Sequence, residues 1–560
     1  MLTNILCMEQ DNKTRKDSEE HLKSSKRYFD VDGPVFWPAA VLIIVFITIT
    51  LIIGAPMEKV FTAVQDQISD LGGWFFVLAV NFFLFFVLFI AFSKYGKIRL
   101  GGDRSKPEFS LGGWFAMLFS AGMGIGILFW SVAEPINHFM SPPQGEAGTV
   151  EAARLSLETT FLHWGLHAWG IYALVGMSLA FFTFNRKLPL TISSVFYPLL
   201  GKKVYGPWGK AINVLAVVAT LFGLATSLGM GVQQVSAGLA HLFDIQDNIT
   251  TQVILITLIT LAATGSVVAG LSSGVKRLSE LNMLIGAVFL IFMMVVGPTL
   301  FIFDSFVQNV GAYVQNFFEL STWTETYQQS DWQNGWTVFY WAWWISWSPF
   351  VGMFIARISR GRTLKEFVLG VLIVPSLLTF LWLSTFGGSA MFLEINAIAD
   401  ISSAVTNNVA TSLYVLLEQF PLASITSIVG VVLVTNFFVT SSDSGSLVVD
   451  SLTAGGKLDA PVPQRIFWAL TEGAVAAVLL IGGGLGALQT AAITTGLPFA
   501  IILIMLTRSL LKGLEGEHEE MMEAQRETER QAYQETITNI IRKRERVRSK
   551  SQDNHNKSQE

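Results

Sequence analysis

The chain has 560 residues, of which 51% are hydrophobic and 14% are charged, and its formal net charge is −5. Apolar runs of about 20 residues recur along it, which indicates a polytopic membrane protein and not a soluble domain. The only cysteine is Cys7, so an intramolecular disulfide is excluded. The small net charge gives no indication of a nucleic-acid partner, and we expect none.

About twelve apolar segments are predicted to span the membrane as helices, so the predicted fold class is an all-α polytopic membrane protein. The first 30 residues are hydrophilic, which argues against a cleaved signal peptide. We expect a cytoplasmic tail (1–32), a transmembrane domain (33–510) and a charged cytoplasmic helix (511–560). The predicted spans cover approximately residues 35–55, 73–93, 111–132, 160–184, 209–240, 250–271, 280–303, 334–356, 365–388, 421–441, 463–483 and 485–508.

The charges of the loops predict how the chain is oriented in the membrane. Lys and Arg concentrate after the even-numbered spans, for example at Lys94, Arg186 and Arg357. The opposite loops carry mostly Asp and Glu, with only Lys59 and Arg154 against them. By the positive-inside rule both termini are cytoplasmic, and we expect a multi-pass protein of the cell membrane.

The third predicted span contains a run of alternating glycines, Gly122, Gly124 and Gly126. Glycines weaken a helix by about 1 kcal/mol each, so we expect an interruption with carbonyl groups turned inward. The spacing differs from the Gly-xxx-Gly pattern of close helix packing. A glycine-rich packing helix remains the alternative.

The eighth predicted span packs four tryptophans into seven residues ahead of Pro349. At about 100° per residue, Trp343, Trp344 and Trp347 fall within roughly a 100° arc, whereas Trp341 points to the other side. Three indole faces suit a cation without hydrogen-bond donors, such as a quaternary ammonium group. Tryptophans of an interfacial belt are the alternative.

Pro349 removes a backbone donor and clashes with the preceding turn, so we expect the eighth span to open near Ile345–Ser348. The third and eighth spans would then each open a block of five spans, at about residues 111–303 and 334–508. Because five is odd, the two blocks would have opposite orientations. Paired broken helices in inverted halves are typical of the substrate site of secondary transporters. An unrelated proline kink is the alternative.

Three segments outside the spans are predicted to be helical. Residues 304–320 have the pattern of an amphipathic helix on the outer face. Residues Ile401–Phe420 look like a second outer helix, which ends at Pro421. The tail from Glu515 is acidic and then basic, which is typical either of a solvated helix or of an arm that contacts anionic lipid or cytoplasmic loops.

Three motifs carry a resemblance to a known family. They are the segment 341–362, the glycine run 121–126 with Ala133-Glu134-Pro135, and the segment 163–172. Over roughly residues 30–510 the chain resembles the betaine/choline/carnitine transporter family. The resemblance implies a LeuT-like inverted five-helix repeat with two extra N-terminal helices, a homotrimer, and transport of trimethylammonium compounds.

The fourth predicted span adds aromatic residues on one broad helical face. Across the bundle from the tryptophans of the eighth span, they are predicted to complete an aromatic box, and the resemblance assigns the same positions to the substrate site. A desolvated cation–π contact is worth about 2 kcal/mol or more, so several together hold a methylated ammonium without a carboxylate. The aromatic box is defined as Trp164, Trp169, Tyr172, Trp343, Trp344 and Trp347, with Gly122, Gly124 and Gly126 as its predicted floor.

The sequence lacks a Gly-xxxx-Gly-Lys-Ser/Thr phosphate loop, so we expect an ion to drive transport and no other cofactor. The hydroxyls of Thr440 and Ser441, with carbonyls near Ser120 and Met123, would make a plausible sodium cage. The resemblance points to this site and adds Phe437. Hydroxyls that bond back to their own helix are the alternative.

A second sodium site of the family uses hydroxyls one turn apart on the fifth span and an aromatic residue that matches Phe350. Thr220 is present, but Leu224 occupies the position one turn later, which places this site in doubt.

Gly126 bears on the choice of substrate. Choline carriers of the family often have an acid there, whereas glycine leaves backbone amides free for a substrate carboxylate. The sequence therefore predicts glycine betaine, with choline, ectoine or another betaine as alternatives. A channel is disfavoured because the single chain does not show a ring of repeated filter residues. A membrane enzyme is disfavoured because His163 and His167 form a possible metal-binding pair without a third ligand.

Overall fold

A computed structural model describes residues 29–122, 124–268, 272–328, 330–457 and 459–557. The described part is built from α-helices with short 3₁₀ and π turns, and it contains one isolated β-bridge but no strand. The helices are α1 Gly33–Ile53, α2 Met57–Phe92, α3 Leu111–Gly122, α4 Ile125–Met140, α5 Val150–Trp164, α6 Leu166–Phe184, the single turn α7 Tyr197–Leu200, α8 Pro207–Phe243, α9 Ile249–Val268, α10 Ser272–Val296, α11 Thr299–Gln315, α12 Phe317–Thr322, α13 Phe339–Ile358, α14 Leu364–Ile395, α15 Ile401–Asn407, α16 Ser412–Glu418, α17 Ala423–Thr453 and α18 Val462–Lys557.

The number of spans agrees with the prediction. Nine helical segments of the described residues have the length and hydropathy of a membrane span, and the bent pair α3–α4 makes a tenth. Helix α18 contains two spans, because its backbone leaves the helical conformation at Gly483 and Gly484. Helix α13, which has 20 residues and is buried at nearly every position, is counted as a further span. An all-α polytopic membrane protein with about twelve spans is confirmed.

The spans differ in how deeply they are buried. In the most apolar window of α5–α6, 94% of residues are buried, against 28% in α1 and in α10. Peripheral helices expose large apolar side chains such as Trp37 and Leu284, which lipid tails solvate. The centre of the bundle, where a site shielded from lipid can form, therefore lies around α5, α6 and α13.

The third span is interrupted where the glycine run predicts. Helix α3 ends at Gly122, helix α4 begins at Ile125, and the chain direction turns by 66° between them. Gly124 has extended backbone angles, with φ −162° and ψ −172°. The predicted interruption of this span is confirmed.

The eighth span does not open at its proline. Helix α13 runs without interruption from Phe339 to Ile358. Pro349 leaves the carbonyl oxygen of Ile345 without its backbone donor, but the hydroxyl of Ser348 donates to that oxygen at 2.7 Å. The predicted opening near Ile345–Ser348 was wrong, because a side-chain hydroxyl replaces the missing hydrogen bond.

The fourth span has an interruption that the sequence analysis missed. Helix α5 ends at Trp164 and α6 begins at Leu166, with Gly165 between them at φ −97° and ψ −136°. A Cβ atom at Gly165 would lie 2.5 Å from the Phe161 carbonyl oxygen and 2.6 Å from Cζ of Phe380. The two interruptions beside the centre of the bundle are therefore in the third and fourth spans.

The loops predicted to be basic share one face of the bundle. The loops after the second and eighth spans pair through backbone hydrogen bonds, among them Leu100 N to Arg362 O at 2.9 Å. Arg186, in the loop after the fourth span, forms ion pairs with Glu517 at 3.2 Å and Glu520 at 2.8 Å on the tail part of α18. The tail thus contacts a cytoplasmic-type loop, one of the alternatives that its charge pattern left open.

The predicted outer helices differ in detail from those observed. Helix α11 begins at Thr299, and Asn316 separates it from α12, where a single helix over 304–320 was expected. The segment Ile401–Phe420 forms two short helices, α15 and α16, joined by the 3₁₀ turn Val409–Thr411. The first 28 residues of the predicted N-terminal tail lie outside the described residues.

Candidate functional site

A cavity lies at the centre of the bundle, enclosed by residues of α4, α5, α6, α8, α13 and α14. All six residues of the aromatic box line it, and so do Gly124 and Gly126. The predicted floor residue Gly122 ends α3, next to residues that the structure does not describe, and its place in the floor stays a prediction. The remaining lining residues were not predicted, and they are Ile127, Ala168, Ser227 and Thr379. None of the described lining residues carries a charge.

The rings from the two sides of the bundle converge on this cavity. Trp343 and Trp344 stack with their centroids 4.5 Å apart, and Trp164 approaches Trp344 edge-on at 5.0 Å. The ring centroid of Tyr172 lies 6.2 Å from that of Trp344 and 6.5 Å from that of Trp347. A cation between these rings comes within reach of several aromatic faces at once, since cation–π attraction acts within about 6 Å of a centroid.

Gly126 has no room for a side chain. A Cβ atom there would lie 2.6 Å from Cη2 of Trp343 and 3.1 Å from Cη2 of Trp164. At Gly124 the corresponding distance to Cη2 of Trp347 is 3.9 Å, an ordinary contact. The absence of a side chain at position 126 therefore lets indoles of both halves rest against the backbone of α4.

The cavity is narrow and contains unused donors. The centre of a water molecule can occupy a volume of only about 30 Å³ in this cavity, which is enough for one or two water molecules. The Tyr172 hydroxyl and the Trp343 and Trp347 indole nitrogens are buried and make no hydrogen bond to another described residue. Buried donors usually have acceptors, so these three suit the oxygens of a bound molecule. Admission of a trimethylammonium group requires the rings to move apart.

The metal-binding pair proposed at His163 and His167 does not form. His163 Nδ1 lies 2.7 Å from Glu134 Oε1, whereas His167 Nε2 lies 3.2 Å from Asn81 Oδ1. The buried group that could hold a metal is instead Glu134, His138 and His163, whose potential ligand atoms lie within 4.8 Å of one another. Glu134 Oε1 contacts both histidines, at 2.7 Å from His163 Nδ1 and 3.3 Å from His138 Nε2, and His138 Nδ1 makes no hydrogen bond to another described residue.

The structure describes four of the five residues predicted for the sodium cage. The Thr440 hydroxyl donates to its own helix, 3.0 Å from Asn436 O, which is the alternative that the sequence left open. Its lone pairs remain free to face a cation. Ser441 is half-buried on the same turn and Phe437 is buried one turn earlier. Ser120 lies two residues before the end of α3, and Met123 lies outside the described residues.

The doubtful second sodium site has a packing role at its altered position. Thr220 donates to the carbonyl of Ala216 at 2.7 Å. Leu224 fills the space against Gly445 of α17, where a Cβ atom would lie 2.5 Å from Leu224 Cδ1. The leucine therefore joins the fifth and tenth spans in place of a second hydroxyl. Phe350 lies beside the aromatic box, 5.4 Å from Trp347.

Comparison with known proteins agrees with the resemblance seen in the motifs. Residues 34–519 match the family described as BCCT, betaine/carnitine/choline family transporter. The match covers the helical bundle and the aromatic box.

Three relatives are similar over most of the chain. A glycine betaine/proline/choline transporter of Vibrio parahaemolyticus is 47% identical, over 87% of this chain and 90% of its own length. Glycine betaine transporter 1 of the same organism is 48% identical, over 88% of this chain and 95% of its length. The glycine betaine transporter OpuD of Bacillus subtilis is 44% identical, over 88% of this chain and 96% of its length.

Proposed function

Because the chain belongs to the betaine/carnitine/choline transporter family, we propose that it is a symporter that imports a quaternary-ammonium solute, glycine betaine above all, together with sodium by alternating access. The observation that carries the proposal is the central cavity, which six aromatic residues line without a charged side chain. Such a cavity attracts a fully methylated ammonium through cation–π contacts and offers no carboxylate to bind other cations.

The preference for glycine betaine over choline rests on the polar features of the cavity. Gly126 adds no acid to the floor, and the Tyr172, Trp343 and Trp347 donors are unused. A zwitterion supplies carboxylate oxygens for such donors, whereas choline supplies a single hydroxyl. Choline is the second candidate, because a relative at 47% identity bears choline as well as betaine in its name. Ectoine, a zwitterionic osmolyte without a quaternary ammonium group, is a further alternative.

Uptake of radiolabelled solute tests the substrate. The chain is expressed in cells that lack osmolyte carriers, and we expect saturable uptake of glycine betaine that exceeds uptake of choline. Saturable choline uptake without betaine uptake would overturn the assignment.

Sodium coupling has its own test, because the proposed cage contains the hydroxyls of Thr440 and Ser441. We expect betaine uptake to fall to the background level when potassium replaces sodium in an uptake medium that contains no choline. Thr440→Ala should raise the sodium concentration needed for half-maximal uptake. Thr435→Ala is the matched control. The Thr435 hydroxyl also donates to its own helix, at 2.8 Å from Val431 O, and Thr435 lies more than one turn before Thr440. An equal effect of both substitutions would remove Thr440 from the cage.

Regulation by the tail is proposed from its ion pairs. Arg186 contacts Glu517 and Glu520 at the surface, and such contacts are screened with a Debye length of about 8 Å at physiological salt. We propose that the tail, with both termini cytoplasmic, senses ionic strength, with its basic end near anionic lipid. Truncation after about residue 512 should change the osmolality dependence of uptake, and an unchanged dependence would contradict the idea.

A homotrimer in the cell membrane completes the proposal. Helices α11 and α12 expose a row of large apolar side chains that includes Leu300, Val307, Val314 and Phe318. This row is where we expect subunit contacts. Cross-linking between single cysteines along it, in a variant without Cys7, should give trimers; monomers alone would contradict this assembly.

A further inference from the structure

We propose that Glu134 is a positioning residue of the aromatic box, which holds its rings in place and supplies negative charge behind them. The inference rests on the proposed function, since it concerns the same cavity. Glu134 lies in α4, two turns beyond Gly126, and is fully buried. It does not line the cavity.

The carboxylate of Glu134 is surrounded by four hydrogen-bonding groups. One oxygen, Oε2, accepts from Trp164 Nε1 at 2.7 Å and from the Tyr340 hydroxyl. The other, Oε1, lies 2.7 Å from His163 Nδ1 and 3.3 Å from His138 Nε2. Trp164 and Tyr340 donate to Oε2, and histidines that carry their proton on the facing nitrogen donate to Oε1, so an ionised carboxylate accepts at all four contacts.

These contacts reach both walls of the aromatic box. Trp164 of α5 is held directly. On the opposite wall, the ring of Tyr340 lies 5.7 Å from the ring of Trp344, and the Trp344 indole donates to the carbonyl of His163 at 2.8 Å. The His163 ring stacks on Tyr340 with centroids 4.6 Å apart. One buried carboxylate thus ties α4 to the ring-bearing parts of α5 and α13.

The contact with Trp164 also changes the ring electronically. An indole N–H that donates to a carboxylate shifts electron density toward the ring, and polarised hydrogen bonds strengthen one another in a low-dielectric interior. A more electron-rich face attracts a cation more strongly. Glu134 therefore acts on the substrate cation through Trp164, in a cavity whose described lining is uncharged.

Substitution Glu134→Gln tests this role, because glutamine keeps the shape but not the charge. The probes are glycine betaine and 3,3-dimethylbutanoate, in which carbon replaces the quaternary nitrogen. We expect the KM for betaine uptake to rise about tenfold with Vmax nearly unchanged. The inhibition constant of 3,3-dimethylbutanoate should change by less than about twofold, because this compound carries no cation.

Glu158→Gln is the matched control. Glu158 is also buried and lies in α5, but it pairs with Arg154 and with Asn316, at 2.8 Å, away from the aromatic box. It should leave both constants unchanged. An equal loss of affinity for betaine and for the uncharged analogue in Glu134→Gln would indicate general loosening and overturn the proposal. Sensitivity of wild-type uptake to a metal chelator would overturn it in favour of a metal site.

A measurement without substrate separates this inference from the proposed function. Near-ultraviolet circular dichroism of purified protein reports the packing of tryptophans. We expect Glu134→Gln to change the spectrum, and we expect most of that change to disappear in a Trp164→Phe background. A spectral change of undiminished size there would contradict the inference, even if wild-type protein failed to transport betaine and the proposed function fell.

Discussion

The third and eighth spans meet at the central cavity and contribute to it in opposite ways. The third span provides space, because its chain turns by 66° and Gly126 has no side chain, which lets two indoles approach the backbone. The eighth span contributes three rings on an uninterrupted helix, α13. The third span therefore provides the space of the cavity, and the eighth span provides rings that line it.

The difference teaches what a helix-breaking residue does in a membrane. Pro349 costs α13 one backbone hydrogen bond, but the Ser348 hydroxyl restores a donor to the Ile345 carbonyl, so the helix continues. The glycines of the third span lack side chains that could make such a repair, and each one weakens the helix. A single proline is tolerated in α13 and also in α14, where Pro375 lies inside the helix, whereas the glycine run coincides with a break.

The largest expected effect would give the third span a side chain. In Gly126→Asp, the Cβ atom would press on Trp343, and the new carboxylate would repel the carboxylate of betaine. We expect the ratio of Vmax to KM for betaine to fall at least about 100-fold, with choline relatively favoured. Uptake of both labelled solutes measures this.

Two further variants sharpen that result. Gly126→Ala tests the steric effect alone. Gly112→Ala is the control in the same span, because no atom lies within 4 Å of the position that its Cβ would take. Betaine uptake that survives in Gly126→Asp would show that the floor need not be a glycine.

The next largest effect would take a ring from the eighth span. Trp344→Leu should raise the KM for betaine about 30-fold, since one desolvated cation–π contact is worth about 2 kcal/mol. Trp341→Leu is the control, because Trp341 is equally buried on the same helix but does not line the cavity. Equal changes in KM would mean that the eighth span supports the site by packing alone.

A smaller effect should follow from removal of the hydroxyl that repairs α13. Ser348→Ala leaves the Ile345 carbonyl unsatisfied, and we expect the free energy of unfolding to fall by about 1–3 kcal/mol. Ser376→Ala is the control, since Ser376 also adjoins a proline, Pro375, but donates to Leu372 O, which already accepts a backbone bond within α14. Thermal unfolding in detergent compares them, and equal losses would refute the repair.

The smallest effect concerns the other glycine of the cavity. Gly124 has extended backbone angles that any residue adopts, and its Cβ would make an ordinary contact with Trp347. Gly124→Ala should therefore change the KM for betaine by less than about twofold, although alanine favours a helix by about 1 kcal/mol. A loss greater than that of Gly126→Ala would mean that the interruption matters more than the space.

The sequence predicted the parts of the site that local patterns control. Ring type and helical spacing identified the six residues of the aromatic box, and all of them line one cavity. The interruption at Gly165 was missed because part of its requirement for glycine comes from Phe380, more than two hundred residues away, in addition to the carbonyl of Phe161. Ser227 and Thr379 were missed because neither belongs to a motif that the sequence patterns single out.

Other outcomes depended on contacts that no local pattern reveals. The Ala133-Glu134-Pro135 motif was recognised, but three of the four partners of Glu134 come from two other helices, and only the fold brings them together. The opening at Pro349 was predicted from the missing backbone donor alone. The role of the neighbouring serine depends on a rotamer, which residue type does not determine.

The C-terminal helix has a mechanical consequence. After Gly484, α18 continues to Lys557 with no other departure from helical backbone angles, and at 1.5 Å per residue this makes a rod of about 110 Å. Near its inner end the rod touches the eighth span, where Ser346 donates to Ala492 O at 3.1 Å and Gly496 packs against Ala342. Gly483 and Gly484 separate it from the preceding span. One continuous helix therefore joins the charged tail to the contacts with the helix that carries the tryptophans.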